Sequence, residues 1–357
     1  MTASIEKVVI IEIGGSHDEC LYTQLIALEK NGVQVTLIVN EEISHRNQHF
    51  EEFCSEIIVI DSRRLKDHKR ATIKSIWKKI KRINPTKVVL NTAQGKEIKS
   101  LCFLALFSKI EFIGILHTTR KLQGSFTQKL ISLKIKKYLF LSEFLMEKVK
   151  SKSKAKLGCF YPIDFYKTSI NNEELINKQI TIIGGVETRR KDLQGFIWLA
   201  SQLKDQNLKY VFLGKSDPKS EVMHEFIFDL QRNGLLDKVQ FYDSFVSHQL
   251  FNEQLQKSMF ILPLVHPETP SSEQYFNNQI SGAMTVSFGY STPMLIHEAY
   301  QNIEEMNDAS FYYNFDNFAE MVEQAMAELD LKRSTMKTSY NAVLEQNKYA
   351  NFVLNLA

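Results

Sequence analysis

Four polar segments of the sequence follow directly on apolar runs and carry residue types that bind sugars or anions. Gly14-Gly15 ends the run KVVIIEI, and His117 follows FIGIL. The stretch from Gly184 to Lys191 follows QITII, and the stretch from His266 to Glu273 follows MFILPL. If the apolar runs are parallel strands, these segments lie outside the carboxyl ends of the strands, where open α/β sheets bind their ligands. The sequence therefore predicts a ligand site at this edge.

The segment from Gly184 to Lys191 has the composition of a diphosphate site. Two glycines are followed by three consecutive cations, Arg189, Arg190 and Lys191, just before a helical stretch. Backbone amides at a helix N-terminus attract anions, and Arg and Lys side chains add charge-assisted hydrogen bonds. The alternative is a basic turn that is only solvated.

The other three segments each have a plainer structural alternative. Gly14-Gly15 either lets a ligand approach the backbone closely or only forms a tight turn. His117 is either a site residue at a strand end or a structural histidine. The residues from His266 to Glu273 either bind a ligand or form a loop with ordinary helix-capping Ser and Glu.

Motifs that would indicate other chemistry are absent from the sequence. It has no GxGxxG after a strand, no GxxxxGK[ST], no HExxH and no Asp-x-Asp pair. Their joint absence argues against dehydrogenases and against metal-dependent nucleotide chemistry, so we expect no metal and no cofactor. The cysteines show no CxxC spacing and lie in or beside apolar runs, so we expect buried, reduced thiols. They are Cys20, Cys54, Cys102 and Cys159.

Apolar runs alternate with segments of helical spacing in both halves of the chain. After the first run, the first half continues with runs at 33–39, 56–61, 87–91, 112–116 and 138–142. The same pattern restarts at residue 179. Continuous apolar strands alternating with helices are typical of a parallel sheet covered on both faces. We therefore predict an α/β protein with two doubly wound Rossmann-like domains facing a central cleft.

The domain boundaries follow from a charged segment at 148–178, which contains a proline and which we interpret as an interdomain linker. The first domain is predicted at 1–165 and the second at 166–335. Residues 336–357 have helical spacing and are predicted to form a tail that packs back on the first domain.

Charge is unevenly distributed along the chain, whose formal net charge is +3. Residues 1–170 contain 29 Lys and Arg against 17 Asp and Glu, and the remainder contains 15 against 24. The basic segment SIWKKIKRI (75–83) either exposes a solvated face or contacts an anionic acceptor or membrane. We expect no nucleic-acid partner, because no recognition module accompanies the charge. With neither a signal peptide nor a bilayer-spanning run in the sequence, we expect a cytoplasmic protein.

The second half of the chain resembles glycosyltransferases of the GT-B fold in a series of motifs. IIGGVETRRKDLQGFIWLA is similar to their strand, glycine turn and Arg-Lys pair before a helix. Three later stretches resemble the elements that follow in that family, in the same order: KYVFLGKSDP, KVQFYDSFVSHQLFNEQLQKSMFILPL and QISGAMTVSFGYSTPMLI. The resemblance covers about 137–300, is closest to the retaining family-four type, and extends to the first 120 residues only in architecture.

The resemblance implies where the nucleotide part of a sugar donor binds. Arg190 and Lys191 correspond to the basic residues that hold the donor diphosphate. Gly184 and Gly185 line the same phosphates, although the family has an arginine where this chain has Gly185. The residues implied on the nucleoside and sugar side are Gly214, Ser281 and Gly282.

The resemblance also implies catalytic and acceptor-side residues. Glu273 corresponds to the first glutamate of the family's E-x7-E motif, which contacts the donor sugar. Ser281 replaces the second glutamate, so this half of the motif is absent. His117 would face the reacting sugar, and Gly14-Gly15 would line the acceptor or phosphate side. No metal ligand is implied.

The implied activity is metal-independent, retaining transfer of a hexose-like sugar from a UDP- or GDP-linked donor to a glycan, lipid-linked or protein acceptor. The donor is a substrate, so no cofactor is expected. Such an enzyme would serve polysaccharide biosynthesis in the cytoplasm, peripherally at the inner face of an anionic membrane that the basic half contacts.

Two alternatives to an active transferase remain. The replacements at Gly185 and Ser281 favour a non-catalytic GT-B-like partner or glycan-binding subunit of an active glycosyltransferase. A sugar-nucleotide epimerase has the same architecture but fits the order of the motifs less well.

Overall fold

The computed structural model describes residues 5–122, 124–151, 153–166 and 178–356. The chain divides into two compact units, one of residues 1–165 with 342–357 and one of residues 166–341. Each unit has its own parallel sheet and its own set of buried apolar side chains. The prediction of an α/β protein built on two parallel sheets is confirmed.

In the described part of the first unit, seven strands form one sheet. They are β1 (Lys7–Glu12), β2 (Gln34–Asn40), β3 (Glu56–Ile60), β4 (Lys87–Leu90), β5 (Glu111–Leu116), β6 (Lys137–Phe140) and β7 (Lys156–Cys159). The strands are parallel, in the order β3-β2-β1-β4-β5-β6-β7. The helices between them are α1 (Leu21–Glu29), α2 (Glu41–Arg46), α3 (Ser62–Asp67), α4 (Lys69–Ile83), α5 (Lys96–Leu104), α6 (Phe126–Ile131) and α7 (Glu143–Lys150).

The second unit has a parallel sheet in the order β10-β9-β8-β11-β12-β13. Its strands are β8 (Gln179–Ile183), β9 (Lys209–Lys215), β10 (Val239–Tyr242), β11 (Ser258–Ile261), β12 (Met294–His297) and β13 (Ser310–Tyr313). Its helices are α8 (Leu193–Gln202), α9 (Glu221–Arg232), α10 (His248–Lys257), α11 (Ser272–Asn277), α12 (Gly282–Tyr290), α13 (Phe318–Ala327) and α14 (Leu329–Ser339). Short 3₁₀ helices in the two units lie at Asp18–Cys20, Gln48–Phe53, Thr119–Lys121, Leu236–Lys238, Glu298–Tyr300 and Glu304–Ala309.

In each sheet the strand order reverses next to the first strand of the unit. β1 pairs with β2 on one side and β4 on the other, and β8 pairs with β9 and β11. The connections that leave such a reversal run along opposite faces of the sheet, which opens a crevice at the carboxyl ends of the two central strands. Because open parallel sheets bind ligands in this crevice, the fold marks one favoured position in each unit.

The interpretation of 148–178 as a linker is wrong for its first part. The residues up to Lys150 complete α7, and Lys156–Cys159 forms the edge strand β7 beside β6. This strand is short, begins with lysine and is at most half-buried, so it lacks the long apolar run that marks the central strands. Residues 167–177 of the predicted linker lie outside the described residues.

The last helix, α15 (Ala342–Leu354), belongs to the first unit and packs against α1. Tyr349 donates its hydroxyl hydrogen to Oε1 of Gln24 at 3.0 Å. Glu345 accepts the backbone amide of Tyr161 at 2.8 Å. Since these four groups are buried, the hydrogen bonds fix the helix in one position on the unit.

None of the four cysteines, all of which lie in the described part of the chain, forms a disulfide. Cys20 and Cys102 are buried, whereas Cys54 and Cys159 are only half-buried, because one follows a surface 3₁₀ helix and the other ends the edge strand β7. Burial raises the pKa of Cys54 and of Cys102 to about 12, so both stay protonated and unreactive near neutral pH.

Candidate functional site

The polar segments of the sequence lie at the carboxyl edges of the two sheets. In the first unit, Gly14-Gly15 follows β1 and His117 follows β5. In the second unit, the segment from Gly184 to Lys191 follows β8, and the segment from His266 to Glu273 comes shortly after β11. β8 and β11 flank the reversal of strand order, so both segments of the second unit stand at the position where this fold binds ligands.

Three of the predicted glycines bring the ends of β8 and β9 together. Gly184 has a positive φ of 90°. A β-carbon on Gly185 would lie 1.9 Å from the carbonyl oxygen of Lys215, and one on Gly214 would lie 2.6 Å from the α-carbon of Gly184. Only glycine allows this backbone contact, so the three positions have a structural role whether or not they also touch a ligand.

Lys191 is buried, and its amine has no direct ion-pair partner in the described part of the chain. It is only 5% exposed, and its amine lies 3.0 Å from the point that a β-carbon on Gly184 would occupy. Among the residues that the structure describes, its amine has no hydrogen-bond acceptor and no ion-pair partner. Desolvation, with the charge of Arg190, lowers the pKa of Lys191 to about 8 against the opposing charge of Glu187. An uncompensated buried cation is unfavourable, so this position favours an anion.

Arg190 is less available for a ligand than Lys191. Its guanidinium forms an ion pair with Glu187 and stays half-exposed. Exposed ion pairs contribute little free energy, so a doubly charged anion can compete with Glu187 for the arginine.

The N-terminus of α8, where helix amides were expected to bind phosphate, is capped from within the chain. Asp192 accepts the amide of Gly195 at 2.7 Å. Its second oxygen accepts from Nδ1 of His266 at 2.7 Å, because a carboxylate of this kind can only accept. Nε2 of His266 pairs with the hydroxyl of Tyr313 at 2.7 Å. Burial opposes ionisation, but these hydrogen bonds hold the pKa of Asp192 below its usual value.

The hydrogen-bonded series of Asp192, His266 and Tyr313 was not predicted from the sequence. Seventy-four positions separate Asp192 from His266, and neither segment carries a signal of the pairing. A second link joins the same segments, since Ser271 donates to the carbonyl oxygen of Arg189 at 2.7 Å. Leu264, between β11 and His266, adopts a positive φ of 58°. Strained backbone of this kind is concentrated at functional sites.

The implied donor-sugar residues lie on two short stretches of helix. Glu273 is in the first turn of α11, is exposed, and accepts from Asn277 at 2.9 Å. Ser281 caps α12 and accepts the amide of Ala283 at 3.3 Å. Gly282 is exposed, with no heavy atom close to the position of a β-carbon. This helix start is therefore open on its outer side.

In the first unit, the sequence analysis missed a buried carboxylate at the end of β1. Glu12 is 2% exposed and accepts three hydrogen bonds, from the amide of Gly14 at 2.7 Å, Asn91 Nδ2 at 2.8 Å and Thr92 Oγ1 at 2.5 Å. Burial raises the pKa of Glu12 although these hydrogen bonds lower it. The amide of Gly14 is therefore already used, and the neighbouring carboxylate disfavours a phosphate.

His117, which follows β5, is stacked on a second histidine, His17. Its ring is 3.7 Å from the ring of His17, and its Nε2 donates to the carbonyl oxygen of Asn91 at 2.8 Å. Desolvation, with the charge of His17, lowers the pKa of His117 to about 4. His117 is thus neutral, with the lone pair of Nδ1 unused by any described residue.

His17 differs from its stacking partner in the direction of its pKa shift and in backbone conformation. Desolvation lowers its pKa, but the nearby carboxylates outweigh this effect and leave the pKa of His17 raised. The nearest of them is Glu19, whose Oε1 lies 3.3 Å from Nδ1. His17 also has a positive φ of 70°, which is rare for a residue with a β-carbon.

A cavity of about 410 Å³ opens beside Glu12 at the strand-order reversal of the first sheet. Gly14 and Gly15 line it, together with Ser62 and Gln94. Two buried atoms of this lining, Ser62 Oγ and Gln94 Oε1, have no hydrogen-bond partner. Orphaned polar atoms are uncommon in folded proteins and point to a ligand or water that completes them. The charged side chains of the lining are Glu12, Glu42, Lys66, Lys69 and Glu97.

Within the described ranges, no group of three or more His, Cys, Asp or Glu side chains is placed to hold a metal ion. In the same ranges, no helix is both long enough and apolar enough to span a bilayer.

Gly185→Ala and Gly282→Ala form a matched pair that tests the glycine contacts. We expect Gly185→Ala to destabilise the protein by about 1–3 kcal/mol or more, because the new β-carbon meets backbone that cannot move aside. Gly282→Ala should leave the stability unchanged or slightly raised, since the space is open and alanine favours a helix. Urea unfolding measures both. Equal midpoints for the two variants would contradict the contact.

The histidine pair predicts a pH dependence. NMR titration should find the His117 ring neutral until the pH falls towards 4, and His17 protonated to a pH above 6.5. A histidine with a lowered pKa in the folded state gains protons on unfolding. Its contribution to stability is therefore complete above pH 6.5 and lost as the pH falls towards 4. His17→Ala should raise the pKa of His117. A His117 ring that titrates near 6.5 in the wild type would exclude this arrangement.

No protein-family model and no curated protein matches the sequence. Solved structures match nearly its whole length at low identity. A glycosyltransferase from Rickettsia africae has a TM-score of 0.69 at 12% identity and covers 99% of this chain and 100% of its own. HepE from Anabaena, solved with UDP, has a TM-score of 0.70 at 10% identity over 99% and 100%. A UDP-N-acetylglucosamine 2-epimerase has a TM-score of 0.66 at 12% identity over 99% and 95%.

At identities this low, the likeness shows the fold alone. The two parallel α/β sheets, with seven and six strands among the described residues, match those glycosyltransferases. The chain therefore has the fold of GT-B glycosyltransferases.

Proposed function

We propose that the protein is a glycosyltransferase that uses a UDP- or GDP-linked sugar and binds the donor diphosphate at Lys191. The observation that carries the proposal is the buried Lys191, whose amine has no ion-pair or hydrogen-bond partner among the described residues. It stands at the strand-order reversal of the second unit, where this fold binds ligands. HepE, which shares the fold, was solved with UDP and with UDP-glucose, which adds support.

In the proposed reaction, the bond between the anomeric carbon and the diphosphate oxygen breaks, and an acceptor hydroxyl forms the new bond to that carbon. Lys191 and Arg190 stabilise the negative charge that develops on the departing nucleoside diphosphate. Because these cations take the role that a metal has elsewhere, we propose metal-independent transfer. The sugar nucleotide is a substrate, so no cofactor takes part. Retention of configuration follows from the family resemblance.

We propose that His117 and Glu273 act on the reacting sugar. Nδ1 of His117 accepts a sugar hydroxyl, and the ring is neutral because the pKa of His117 is about 4. A neutral ring adds no repulsion to a sugar that develops positive charge. Glu273 contacts the donor sugar through its exposed carboxylate. Gly184 and Gly185 line the diphosphate, and Gly214, Ser281 and Gly282 line the nucleoside side.

For the acceptor, we propose the cavity beside Glu12, with Gly14 and Gly15 in its lining. Its three carboxylates outnumber its two lysines, which disfavours phosphate, and the orphaned oxygens of Ser62 and Gln94 suit hydroxyl groups. The acceptor end that fits this chemistry is an uncharged, hydroxyl-rich part of a glycan, either free or carried on a lipid or protein. We propose that the enzyme acts in polysaccharide biosynthesis at the cytoplasmic face of a membrane.

Two other functions have specific support. Ser281 supplies no carboxylate and that of Glu273 already accepts from Asn277, which favours a non-catalytic partner subunit. The likeness to an epimerase favours sugar-nucleotide epimerisation. Incubation with UDP-N-acetylglucosamine, followed by NMR, separates the two. Formation of the 2-epimer without an acceptor would identify an epimerase. Nucleotide binding without turnover of any sugar nucleotide, with glycans offered as acceptors, would identify a partner subunit.

The donor site is tested by Lys191→Met, which removes the charge and keeps the apolar stem. Calorimetric titration with UDP and GDP should find that the preferred nucleotide binds at least about tenfold more weakly, since hydrogen bonds between charged groups contribute about 1.5–3 kcal/mol. The unliganded variant should be as stable as the wild type or more so, because an uncompensated buried charge is gone. Wild-type affinity should also fall above about pH 8, where the amine loses its proton.

Lys209→Met is the matched control, since Lys209 is an exposed lysine at the opposite end of β9. It should leave nucleotide affinity unchanged. Unaltered binding by Lys191→Met, or an equal loss in both variants, would refute the assignment.

The acceptor cavity is tested by Ser62→Leu, which fills it. With the donor that binds, transfer to uncharged oligosaccharides should be lost while nucleotide affinity stays the same. Ser75→Leu, at an exposed position of α4, should retain transfer. A preference of the wild type for phosphorylated over uncharged acceptors would contradict the chemistry proposed for the cavity.

A further inference from the structure

The first unit exposes large apolar side chains on two neighbouring helices. Phe107 is 97% exposed and Phe126 is 74% exposed. Phe103, Leu104 and Leu133 are exposed as well. All five belong to α5, to α6 or to the turns that follow these helices. Soluble proteins rarely expose a large apolar patch without a function, so this α5–α6 face needs a partner.

The exposed side chains lie on elements that pack against each other. α5 packs against α6. Lys134 donates to the carbonyl oxygen of Ser108 at 2.9 Å, so the turns that carry Leu133 and Phe107 lie side by side. Phe126 and Leu133 are seven positions apart, which places them on one side of α6 and its following turn.

A cavity lined by lysines lies beside one of the two helices. A cavity of about 390 Å³ lies beside α6, and its lining includes four lysines and no acidic residue. Between Glu111 and Glu143 the sequence has six Lys and Arg and no Asp or Glu. A cavity of this composition attracts phosphate groups. The four lysines are Lys121, Lys129, Lys136 and Lys154.

The basic helix α4 was one of the sequence-based alternatives for contact with an anionic acceptor or membrane. Its surface differs from the α5–α6 face. Ile73, Ile76 and Ile80 are buried in the core, so the apolar side of α4 packs inside the unit. Among the described residues beside its lysines, Trp77 is half-buried and Val59 is 45% exposed, so the exposed apolar surface there is smaller than on the α5–α6 face. Stable attachment to a membrane needs apolar side chains that enter the headgroup layer as well as cations that attract it. The α5–α6 face has both.

We propose that the α5–α6 face docks the protein on a membrane rich in anionic lipids. Its apolar side chains enter the headgroup layer, and the lysine-lined cavity receives a lipid phosphate. A membrane fits better than a protein partner, because Phe107 is almost fully exposed to solvent. In addition, the charged residues that line the cavity beside α6 are all lysines. The inference rests on the membrane association included in the proposed function, and it is independent of the transfer reaction.

The test is sedimentation of the full chain with vesicles made of equal parts phosphatidylglycerol and phosphatidylcholine. The double variant Phe107→Ser/Phe126→Ser and the double variant Lys129→Glu/Lys136→Glu should each bind at least about tenfold more weakly than the wild type, because apolar insertion and surface charge contribute together. The wild type should not sediment with pure phosphatidylcholine, and added salt should release it.

Two controls separate this face from the rest of the surface. Phe228→Ser removes a similarly exposed phenylalanine from α9 of the second unit, and Lys78→Glu/Lys79→Glu changes two lysines of α4. Both should bind vesicles like the wild type. The proposal would be overturned if the wild type did not bind anionic vesicles. It would also be overturned if the control variants lost as much binding as the variants of the α5–α6 face. The same variants should bind nucleotide with the affinity of the wild type. A failure of the membrane proposal can therefore be distinguished from a failure of the donor-site proposal.

Discussion

The proposed donor site depends on the amine of Lys191, because Lys191 is buried next to the end of β8 and has no ion-pair or hydrogen-bond partner among the described residues. The surrounding backbone holds it in place. Gly184 leaves room for the amine through the absence of a side chain, and Asp192 caps the helix that follows. His266 in turn fixes Asp192 from the next loop. A bound diphosphate would neutralise a charge that the fold leaves unpaired, which is why the donor proposal depends on this one group.

At the two strand-order reversals, the local charge differs from the charge of the half of the chain that contains them. The first half is basic, yet the cavity beside its strand-order reversal has three carboxylates, of Glu12, Glu42 and Glu97, against two lysines. The second half is acidic, yet its reversal presents Lys191 and Arg190. Net charge governs long-range attraction and surfaces, whereas a ligand is selected by the few groups that line its pocket. The excess of cations in the first half lies largely on its outer surface, on α3 and α4 as well as around α6.

Apolar runs were enough to predict both sheets, because a parallel strand covered on two faces requires such a run. The same reasoning missed β7, which is a short edge strand that begins with Lys156. Placement after a strand located Lys191, since the carboxyl edge is a property of the topology. The buried site of Glu12 was not predicted, because its side-chain partners come from the segment after β4. The pairing of His266 was not predicted either, because its partner Asp192 is 74 positions away. Contacts of this kind depend on the tertiary fold and leave no local pattern.

The most direct test of the central claim is the pKa of the Lys191 amine, measured by NMR with labelled lysine in the presence and absence of nucleoside diphosphate. The account predicts a pKa of about 8 in the unliganded protein. It also predicts a rise when the diphosphate is bound, because a nearby anion stabilises the protonated amine. A pKa near the ordinary lysine value of 10.5 that does not respond to any nucleotide would contradict it.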